Sequence, residues 1–564
     1  MTLRPKTARS PSCTMPEQAA TITEHPRIGS PPRAWRPWAV AFAAALALYL
    51  ASMAPGVLWQ DSGLAQVRTI RRDLYGDLGL ALSHPLYYVL TIAFQALPFR
   101  ESAFKTNLVS AVFGAVTVAN VFLLLRLLSG GLRGAAVGAI SVAVAHTFWQ
   151  HCALAEVYTV TTALLTAELL CFLQYVRTGR DRWLPAMFLF NGLGISNHMF
   201  ALLSLACWVV FVVWLLGTKR LRPSIVPLLM LAWVCGAGLY LSMIGIEITQ
   251  GAGVGETLRS AVFGRSYLRN VMNPLPSRRQ IVHSVLYLGL SFPTPVVLLV
   301  LPAFGTFRAG TFRPARIAIA ALLGVHLVFA VRYDVPDQYT FFIPSLVLIG
   351  ILIGLGADRF LRGRSAGRTA CLVAGALLPA AVYAPLPRVA RAFHLPLGVS
   401  RGVPYRDEYA YFLHPWKTGY EGAWRFANEV REILPAGAVL IADSTTVRPI
   451  QYLQLTGRWR RDVTVWPPMP ERDRPIRALT EPDLHGALSA GKVYLVSTEP
   501  GYCPAWLRDG FQFCRCGIVY RVCGRRPAAI PSSAALLSPW ESGKLAAHEG
   551  VDAEARGKGN AASG

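Results

Sequence analysis

Two acidic residues and a histidine stand next to apolar runs of this sequence, and their types suit acid–base chemistry. Asp61 follows the first long apolar run, Glu156 stands between two later runs, and His84 precedes Pro85. A carboxylate that is partly shielded from water takes the proton of an incoming hydroxyl. The pattern predicts catalytic roles for Asp61 and Glu156. Ordinary positions in a solvated loop or at a helix end are the alternative.

A second group of residues suits the binding of a phosphorylated lipid. Asn197-His198 lies between two apolar runs, and residues 332–339 read Arg-Tyr-Asp-Val-Pro-Asp-Gln-Tyr. An arginine with tyrosines at the depth of lipid headgroups binds phosphate by paired hydrogen bonds. The same residue types also serve as ordinary interfacial anchors. The residues that we interpret as donor- or phosphate-binding are His84, His198, Arg332, Tyr333 and Asp337.

Motifs that would bring a metal or a cofactor are not found in the sequence. There is no P-loop, no zinc-protease helix and no nucleophilic-serine elbow. His146, His151, Cys152 and Glu156 match no standard spacing of metal ligands. The sequence therefore predicts no cofactor and no metal-ligating residues, and it leaves the metal requirement of the reaction open.

Composition indicates the elements that must position these residues. Of the 564 residues, 53% are hydrophobic and 15% are charged, and the mean hydropathy is +0.39. Repeated apolar runs of about 20 residues match the thickness of a bilayer. This pattern predicts an all-α polytopic membrane protein and excludes a soluble enzyme, a disordered protein and an outer-membrane barrel. The net charge of +24 reflects basic cytoplasmic loops and not a nucleic-acid partner.

Alternation of basic and mixed loops orders the runs across a bilayer. The segment Leu86–Leu97 is too short to span and is predicted to be re-entrant or interfacial. The positive-inside rule then favours eleven spans in the inner (plasma) membrane. The N-terminus is predicted to lie in the cytoplasm and the C-terminal region on the opposite side of the membrane. The predicted spans are 38–54, 104–128, 133–150, 156–176, 183–197, 199–217, 224–246, 281–304, 316–331, 340–357 and 369–386.

The sequence divides into four predicted parts. Residues 1–36 form a disordered cytoplasmic arm, and residues 37–386 form the membrane domain, whose first external loop spans residues 55–103. Residues 387–527 are predicted to form a small periplasmic α/β domain, and residues 528–564 a disordered tail. Four cysteines of the α/β domain, at positions 503, 514, 516 and 523, would suit two disulfides in an oxidising compartment.

The order of these motifs resembles a family of bacterial multi-spanning proteins. That family is related to the eukaryotic transmembrane protein O-mannosyltransferase. The resemblance covers roughly residues 40–470. It rests on Ala-Pro-Gly-Val-Leu-Trp-Gln-Asp-Ser-Gly (54–63), Ser-His-Pro-Leu-Tyr (83–87), residues 107–115, Phe148-Trp149, Ala-Glu-Val-Tyr (155–158), Gly-Ile-Ser-Asn-His (194–198) and residues 333–339.

The resemblance implies the C-type glycosyltransferase fold and a polyprenyl-phosphate sugar donor. It implies that Asp61 is the general base, that Glu156 is the second acid, and that His84 lies in the donor-binding loop. We therefore expect transfer of a sugar, with mannose as the first candidate, to a hydroxyl of a protein or envelope glycan on the periplasmic side. The alternatives are a secondary transporter or lipid-linked flippase, and an inactive membrane scaffold.

Overall fold

The computed structural model describes residues 35–264, 267–307, 310, 312–397, 402–466, 480–500 and 502–526. Nearly all of the predicted arm 1–36 and the whole predicted tail 528–564 lie outside the described residues. The chain forms two compact units. The first contains residues 1–431, 444–461 and 469–476, and the second contains residues 432–443, 462–468 and 477–564. The assignment of residues 387–527 to one periplasmic domain stays a prediction.

The described residues are mostly helical. The helices are α1 Trp35–Ser52, α2 Gln60–Arg71, α3 Pro85–Phe94, α4 Ser102–Ser129, α5 Leu132–Ala143, α6 His146–Cys152, α7 Tyr158–Thr178, α8 Trp183–Asn197, α9 Ala201–Gly217, α10 Val226–Thr249, α11 Val254–Phe263, α12 Leu268–Val271, α13 Arg278–Ser291, α14 Val300–Phe304, α15 Arg313–Arg332, α16 Ile343–Leu361, α17 Ala366–Tyr383, α18 Leu386–Ala392, α19 Glu408–Leu413, α20 Gly422–Ile433, α21 Val447–Leu455, α22 Glu481–Ser489 and α23 Ala505–Gly510. Short 3₁₀ turns occur at Leu80–Leu82, Pro223–Ile225, Pro295–Leu299 and Gln338–Phe342.

Six helical segments in the described residues are long and apolar enough to cross a membrane, and two bent pairs raise the number to eight. The six are Ser102–Ser129, Tyr158–Thr178, Pro223–Thr249, Arg313–Arg332, Gln338–Leu361 and Ala366–Tyr383. The other three predicted spans coincide with α1, α8 and α9, which have 18, 15 and 17 residues. The chain is therefore a multi-pass membrane protein. Length and composition support six to eight of the eleven predicted crossings.

Two predicted spans are bent and not straight. Helices α5 and α6 meet at 69°, and α13 and the segment Pro295–Phe304 meet at 103°. Pro293 and Pro295 explain the second bend, because proline cannot donate the backbone hydrogen bond that would continue the helix. The first bend directs α6 toward the chain after the last predicted span. His146 and Gln150 lie within hydrogen-bond distance of the carbonyl oxygens of Leu413 and Tyr411.

Small residues allow the membrane helices to pack closely. Helices α8 and α10 cross at Gly192 and Gly236, and a Cβ atom at either glycine would lie 2.3 Å from a backbone oxygen of the other helix. Helices α5 and α16 approach in the same way at Gly138 and Gly354. Close backbone approach is a typical driving force for helix association in lipid. These crossings hold together helices whose ends carry polar residues of the candidate site.

The segment 55–103, predicted to be the first external loop, contains the short apolar helix that the sequence predicts as non-spanning. Helix α3 has 10 residues, which gives a length of about 15 Å, half the thickness of the hydrocarbon core. Helix α2 precedes it and carries Asp61 in its first turn. Thr69 of α2 donates a hydrogen bond to Thr91 of α3 at 2.9 Å. The loop is therefore a folded substructure.

The second unit contains a five-stranded mixed sheet, as predicted for the C-terminal region. Its strands are β1 Val439–Ile441, β2 Thr464–Trp466, β3 Val493–Leu495, β4 Phe511–Cys516 and β5 Val519–Arg525. The strand order is β2-β1-β3-β5-β4, with β1 parallel to β2 and β3, and β5 antiparallel to β3 and β4. Cys514 and Cys523 form a disulfide between β4 and β5, whereas Cys503 and Cys516 are unpaired. The second disulfide suggested by the sequence does not form, since Cys503 precedes α23 and lies in the buried core.

Candidate active site

Asp61 stands at the start of a helix whose entry is tightly fixed. Trp59 is fully buried, and its indole N–H donates to the Tyr420 hydroxyl at 2.6 Å. Gln60 has a left-handed backbone conformation, with φ of 48°. A non-glycine residue held in that region is a typical sign of a constrained functional turn. Asp61 therefore lies at the positive end of α2, where the helix dipole favours its ionised form.

Glu156 lies in the connection between α6 and α7 and is held from two sides. The Ser62 hydroxyl donates to Glu156 Oε1 at 2.7 Å. Ser110 of α4 fixes the backbone, because its hydroxyl accepts from the Glu156 N–H at 2.9 Å and donates to the Glu156 carbonyl at 3.0 Å. The residue at the N-cap of α7 is Val157, and no side chain caps this helix. Glu156 is therefore joined to the residue next to Asp61 and does not serve as a helix cap.

Asp337 joins these two residues electrostatically, and we call Asp61, Glu156 and Asp337 the acid cluster. Burial raises the pKa of Glu156 to about 8, the charges of Asp61 and Asp337 add to the rise, and the Ser62 hydrogen bond opposes it. Burial and the Asp61 charge raise the pKa of Asp337 to about 6. Glu156 therefore retains its proton at neutral pH, because like charges at close range cannot all ionise.

Asp61 is exposed to solvent, although protein groups lie around its carboxylate. Restricted hydration raises the pKa of Asp61, and the nearby Arg448 guanidinium opposes the rise. Arg448 belongs to α21, which packs on α2 so closely that a Cβ atom at Gly63 would lie 2.8 Å from the Arg448 Cβ. The result is a solvent-exposed carboxylate that protein groups partly shield and that has a guanidinium nearby. This is the environment that a general base requires.

The acid cluster has tyrosine neighbours from the first external loop and from the chain beyond the last predicted span. Burial raises the pKa of Tyr88, and the charges of Glu156 and Asp61 contribute to this rise. Burial also raises the pKa of Tyr411, with a contribution from Glu156. The Tyr411 ring lies 4.4 Å from the Arg406 guanidinium and 5.1 Å from the Lys417 ammonium. Carboxylates, phenols and cations therefore meet at one place.

His84 and His198 are brought together from distant parts of the sequence. Their rings stack with centroids 5.0 Å apart and an angle of 13° between the planes. His84 Nδ1 bonds the Asn197 carbonyl at 2.8 Å. His84 thus satisfies a backbone group at the junction of α8 and α9. The Tyr158 ring centroid lies 5.4 Å from that of His198, which connects this pair to the N-terminal end of α7.

Arg332 and Tyr333 are adjacent in the sequence, but their side chains have different surroundings. The Arg332 guanidinium donates to the Asn273 carbonyl at 2.7 Å, and in the described part of the chain it forms no ion pair. Tyr333 is buried against Phe341, with ring centroids 4.5 Å apart. The Asp337 charge contributes to the raised pKa of Tyr333. Tyr333 therefore lies near the acid cluster, whereas Arg332 faces the loop that follows α12.

Three arginines of the site were missed by sequence analysis. Arg68 is buried in the first loop, where it pairs with Asp73 at 3.4 Å, donates to the Ser83 carbonyl at 3.0 Å and lies 3.7 Å above the Tyr88 ring. Arg406 donates to the Gln60 side chain at 2.9 Å. Arg448 faces Asp61. A sequence signal existed only for Arg68, because seven residues after Asp61 it shares one face of α2.

Within the described residues, no group of three or more histidine, cysteine or acidic side chains is arranged to hold a metal ion. Glu156 Oε1 accepts a hydrogen bond from the Ser62 hydroxyl. The acid cluster is thus arranged around hydrogen bonds and one nearby guanidinium.

Comparisons with known proteins agree with this architecture. Residues 82–221 match the family model described as the protein O-mannosyl-transferase TMEM260 N-terminal domain. The crystal structure of ArnT from Cupriavidus metallidurans in the apo state superposes with a TM-score of 0.56 at 16% identity, covering 87% of this chain and 98% of ArnT. The same enzyme bound to undecaprenyl phosphate superposes with a TM-score of 0.54 at 13% identity, covering 86% of this chain and 97% of ArnT.

The matched segment begins just before His84 and includes Glu156 and His198, so it contains much of the site but not Asp61. The predicted resemblance to the O-mannosyltransferase family and the predicted fold are both confirmed. This chain is a multi-pass membrane protein with the C-type glycosyltransferase fold, and its residues 82–221 match the N-terminal domain of the TMEM260 protein O-mannosyltransferase family.

Proposed function

We propose that this protein is a membrane glycosyltransferase that moves a sugar from a polyprenyl-phosphate donor to an acceptor hydroxyl. The observation that carries the proposal is the acid cluster, where the hydroxyl of Ser62, the residue directly after Asp61, donates a hydrogen bond to Glu156. The fold supports it, because the ArnT structure is described as bound to undecaprenyl phosphate. The match to an O-mannosyltransferase domain supports mannose as the sugar and a protein as the acceptor.

The transfer would use Asp61 as the base. The acceptor hydroxyl gives its proton to the Asp61 carboxylate while its oxygen bonds to the anomeric carbon of the sugar. The bond between that carbon and the phosphate oxygen breaks, and the polyprenyl phosphate leaves with the electron pair. A positioned base contributes about 10²- to 10⁴-fold to such a step. The Arg448 guanidinium opposes the rise in the pKa of Asp61 and so favours the ionised carboxylate before the acceptor arrives.

The remaining residues bind and orient the substrates in this proposal. Glu156 in its protonated form orients the acceptor hydroxyl or the base, since Ser62 holds its Oε1 atom in place. Asp337 adds negative charge that favours positive charge developing on the sugar. His84, His198 and Tyr333 form the donor side of the site, and Arg332 attracts the lipid phosphate toward it.

The acceptor is proposed to enter from the periplasmic side of the inner membrane. Asp61, Glu156 and Asp337 all belong to loops that the positive-inside rule places outside the cytoplasm. An acceptor protein or envelope glycan would reach this side without crossing the bilayer. The sheet of the second unit is proposed to be periplasmic as well, which agrees with its Cys514–Cys523 disulfide because disulfides persist in oxidising compartments.

A transfer assay tests the proposal. Membranes that contain the wild type, Asp61→Asn or Asp181→Asn receive radiolabelled polyprenyl-phosphate mannose or polyprenyl-phosphate glucose, and label is counted in protein and in glycan. Asp181 is an exposed acid in the loop before α8 and serves as the matched control. We expect label with the wild type and Asp181→Asn, and none with Asp61→Asn. Full transfer by Asp61→Asn would exclude the mechanism.

A further inference from the structure

The free Nε2 atoms of the two stacked histidines have opposite hydrogen-bonding roles, and the role of the His84 atom follows from its backbone contact. Its Nδ1 atom lies 2.8 Å from the Asn197 carbonyl oxygen. A carbonyl oxygen can only accept a hydrogen bond, so Nδ1 must carry the proton. The neutral His84 ring therefore presents Nε2 as an acceptor.

His198 has the opposite arrangement. The backbone N–H of Phe200 donates to His198 Nδ1 at 3.1 Å. Since Nδ1 accepts this bond, the proton of the neutral ring must reside on Nε2. His198 therefore presents an Nε2–H donor beside the acceptor of His84, with the two rings nearly parallel and 5.0 Å apart.

Both rings stay neutral at physiological pH. Burial lowers the pKa of His84 to about 4, and the neighbouring Arg68 guanidinium contributes. Burial lowers the pKa of His198 well below its usual value, and His84 and His326 add to this effect. A protonated imidazole donates from both of its nitrogens, whereas a neutral ring has one donor and one acceptor. Because both rings are neutral, His84 Nε2 stays an acceptor and His198 Nε2 stays a donor.

The two Nε2 atoms are available to a ligand. Neither forms a hydrogen bond with any side chain or backbone group in the described part of the chain, and both rings are only partly buried. Tyr158 packs against the His198 ring, and its hydroxyl lies within hydrogen-bond distance of Thr340 Oγ1, at 3.1 Å. Thr340 in turn donates to the Asp337 carbonyl at 3.0 Å. The histidine pair thus adjoins the acid cluster through Tyr158 and Thr340.

We infer that His84 and His198 recognise hydroxyls of a sugar ring and do not bind the lipid phosphate. A hydroxyl donates and accepts, so sugar hydroxyls satisfy His84 Nε2 and His198 Nε2–H together. An ionised phosphodiester only accepts, so it would satisfy His198 and place a negative oxygen against the lone pair of His84. The inference rests on the proposed function and deepens it, because it names the part of the substrate that this pair recognises.

The test compares substrates that lack single hydroxyls. Purified wild type, His84→Phe and His198→Phe are assayed with polyprenyl-phosphate mannose and each of its monodeoxy analogues. Phenylalanine keeps the stacked ring and removes its nitrogens, and His485→Phe, at an exposed site in the second unit, is the control. We expect one monodeoxy donor to lose about tenfold in kcat/KM with the wild type, which is the value of one good hydrogen bond. That loss should disappear in both variants, which should use the intact donor about tenfold less well.

Inhibition by polyprenyl phosphate without a sugar separates sugar recognition from phosphate binding. We expect equal inhibition of the wild type and both variants. Inhibition weakened about tenfold in the variants would overturn the inference, as would a deoxy penalty of unchanged size in both variants. If the penalty appears only with monodeoxy forms of a saccharide acceptor, the pair recognises the acceptor sugar, which still supports hydroxyl recognition.

Failure of the proposed function is distinguishable from failure of this inference. If the wild type transfers nothing from any donor, the proposed function fails. In that case, binding of polyprenyl-phosphate mannose and its monodeoxy analogues is measured by tryptophan fluorescence. This measurement still tests whether His84 and His198 recognise the sugar hydroxyls. Loss of discrimination among the analogues in His84→Phe and His198→Phe supports the inference, and unchanged discrimination overturns it.

Discussion

Glu156 and Glu168 lie on either side of the start of α7, and their surroundings differ. Glu168 is fully buried, and its Oε2 atom accepts from the Trp208 indole at 2.5 Å and from Asn191 at 3.4 Å. Glu156 has one hydroxyl donor, Ser62, and two acidic neighbours. A carboxyl group satisfied by neutral donors joins helices together, whereas one placed among like charges is available for chemistry.

The Glu168 network explains why an ionisable group inside a membrane helix does not indicate transport in this protein. Asn191 also donates to the Ser204 hydroxyl at 2.9 Å and accepts from the Trp233 indole at 3.0 Å. The network therefore joins α7, α8, α9 and α10. Polar side chains at such positions stabilise helix association in lipid. No pattern in the sequence distinguishes Glu168, because only the fold shows its partners.

Among the variants that keep every charge of the acid cluster, the largest effect should come from moving the Asp61 carboxylate without removing it. Asp61→Glu keeps the charge but adds one methylene, and a displacement of about 1 Å in an active site costs about 100-fold in rate. Transfer assays on purified protein measure this loss. The control is Asp181→Glu in the loop before α8. A rate close to that of the wild type would show that the position of the carboxylate is not important.

Removal of the Glu168 carboxyl should affect stability and leave the chemistry of the folded protein intact. Glu168→Ala leaves the Trp208 indole N–H buried without an acceptor, and each such group costs about 1–3 kcal/mol. Thermal unfolding in detergent should therefore begin at a lower temperature, while transfer at low temperature persists. Loss of transfer without loss of stability would give Glu168 the role that we assign to the acid cluster.

The proton on Glu156 predicts a decline in activity at alkaline pH. Its pKa of about 8 in the folded protein exceeds that of an exposed glutamate, about 4.3, so the folded protein holds this proton more tightly than the unfolded chain. The stabilisation from that proton is full below the unfolded pKa and is lost as pH rises through 8.

Transfer should likewise fall as Glu156 ionises beside Asp61 and Asp337. Glu156→Gln, which stays neutral, should lack this alkaline decline in a pH–rate profile. Asp337→Asn is the comparison variant, and we expect it to keep the decline, because Glu156 still ionises. An identical alkaline limb in the wild type and Glu156→Gln would contradict the assignment.

The smallest effect is expected at Arg448, which does not contact the substrates in this proposal. Arg448→Gln removes the cation that lowers the pKa of Asp61, so the acidic limb of the pH–rate profile should move to higher pH. The rate on the plateau should change little. Arg448→Lys, which keeps the charge, should leave the limb where it is. A shift of equal size in both variants would indicate a packing defect in α21.

The sequence was sufficient to predict most of the membrane helices and to select candidate residues at their ends. Asp61 and Glu156 could be chosen because an acid at the end of an apolar run is conspicuous, and α3 could be identified as too short to span. The joining of Glu156 to Ser62 and the stacking of His84 on His198 depend on helix packing between distant segments, which no local pattern encodes. Arg406 and Arg448 were missed for the same reason.

The most direct test measures transfer and thermal unfolding together for Asp61→Asn and Glu168→Ala. We predict that Asp61→Asn unfolds at the temperature of the wild type but transfers no sugar. Glu168→Ala should unfold at a lower temperature and still transfer sugar below it. Undiminished transfer by a folded Asp61→Asn would contradict the assignment of the acid cluster as the catalytic centre.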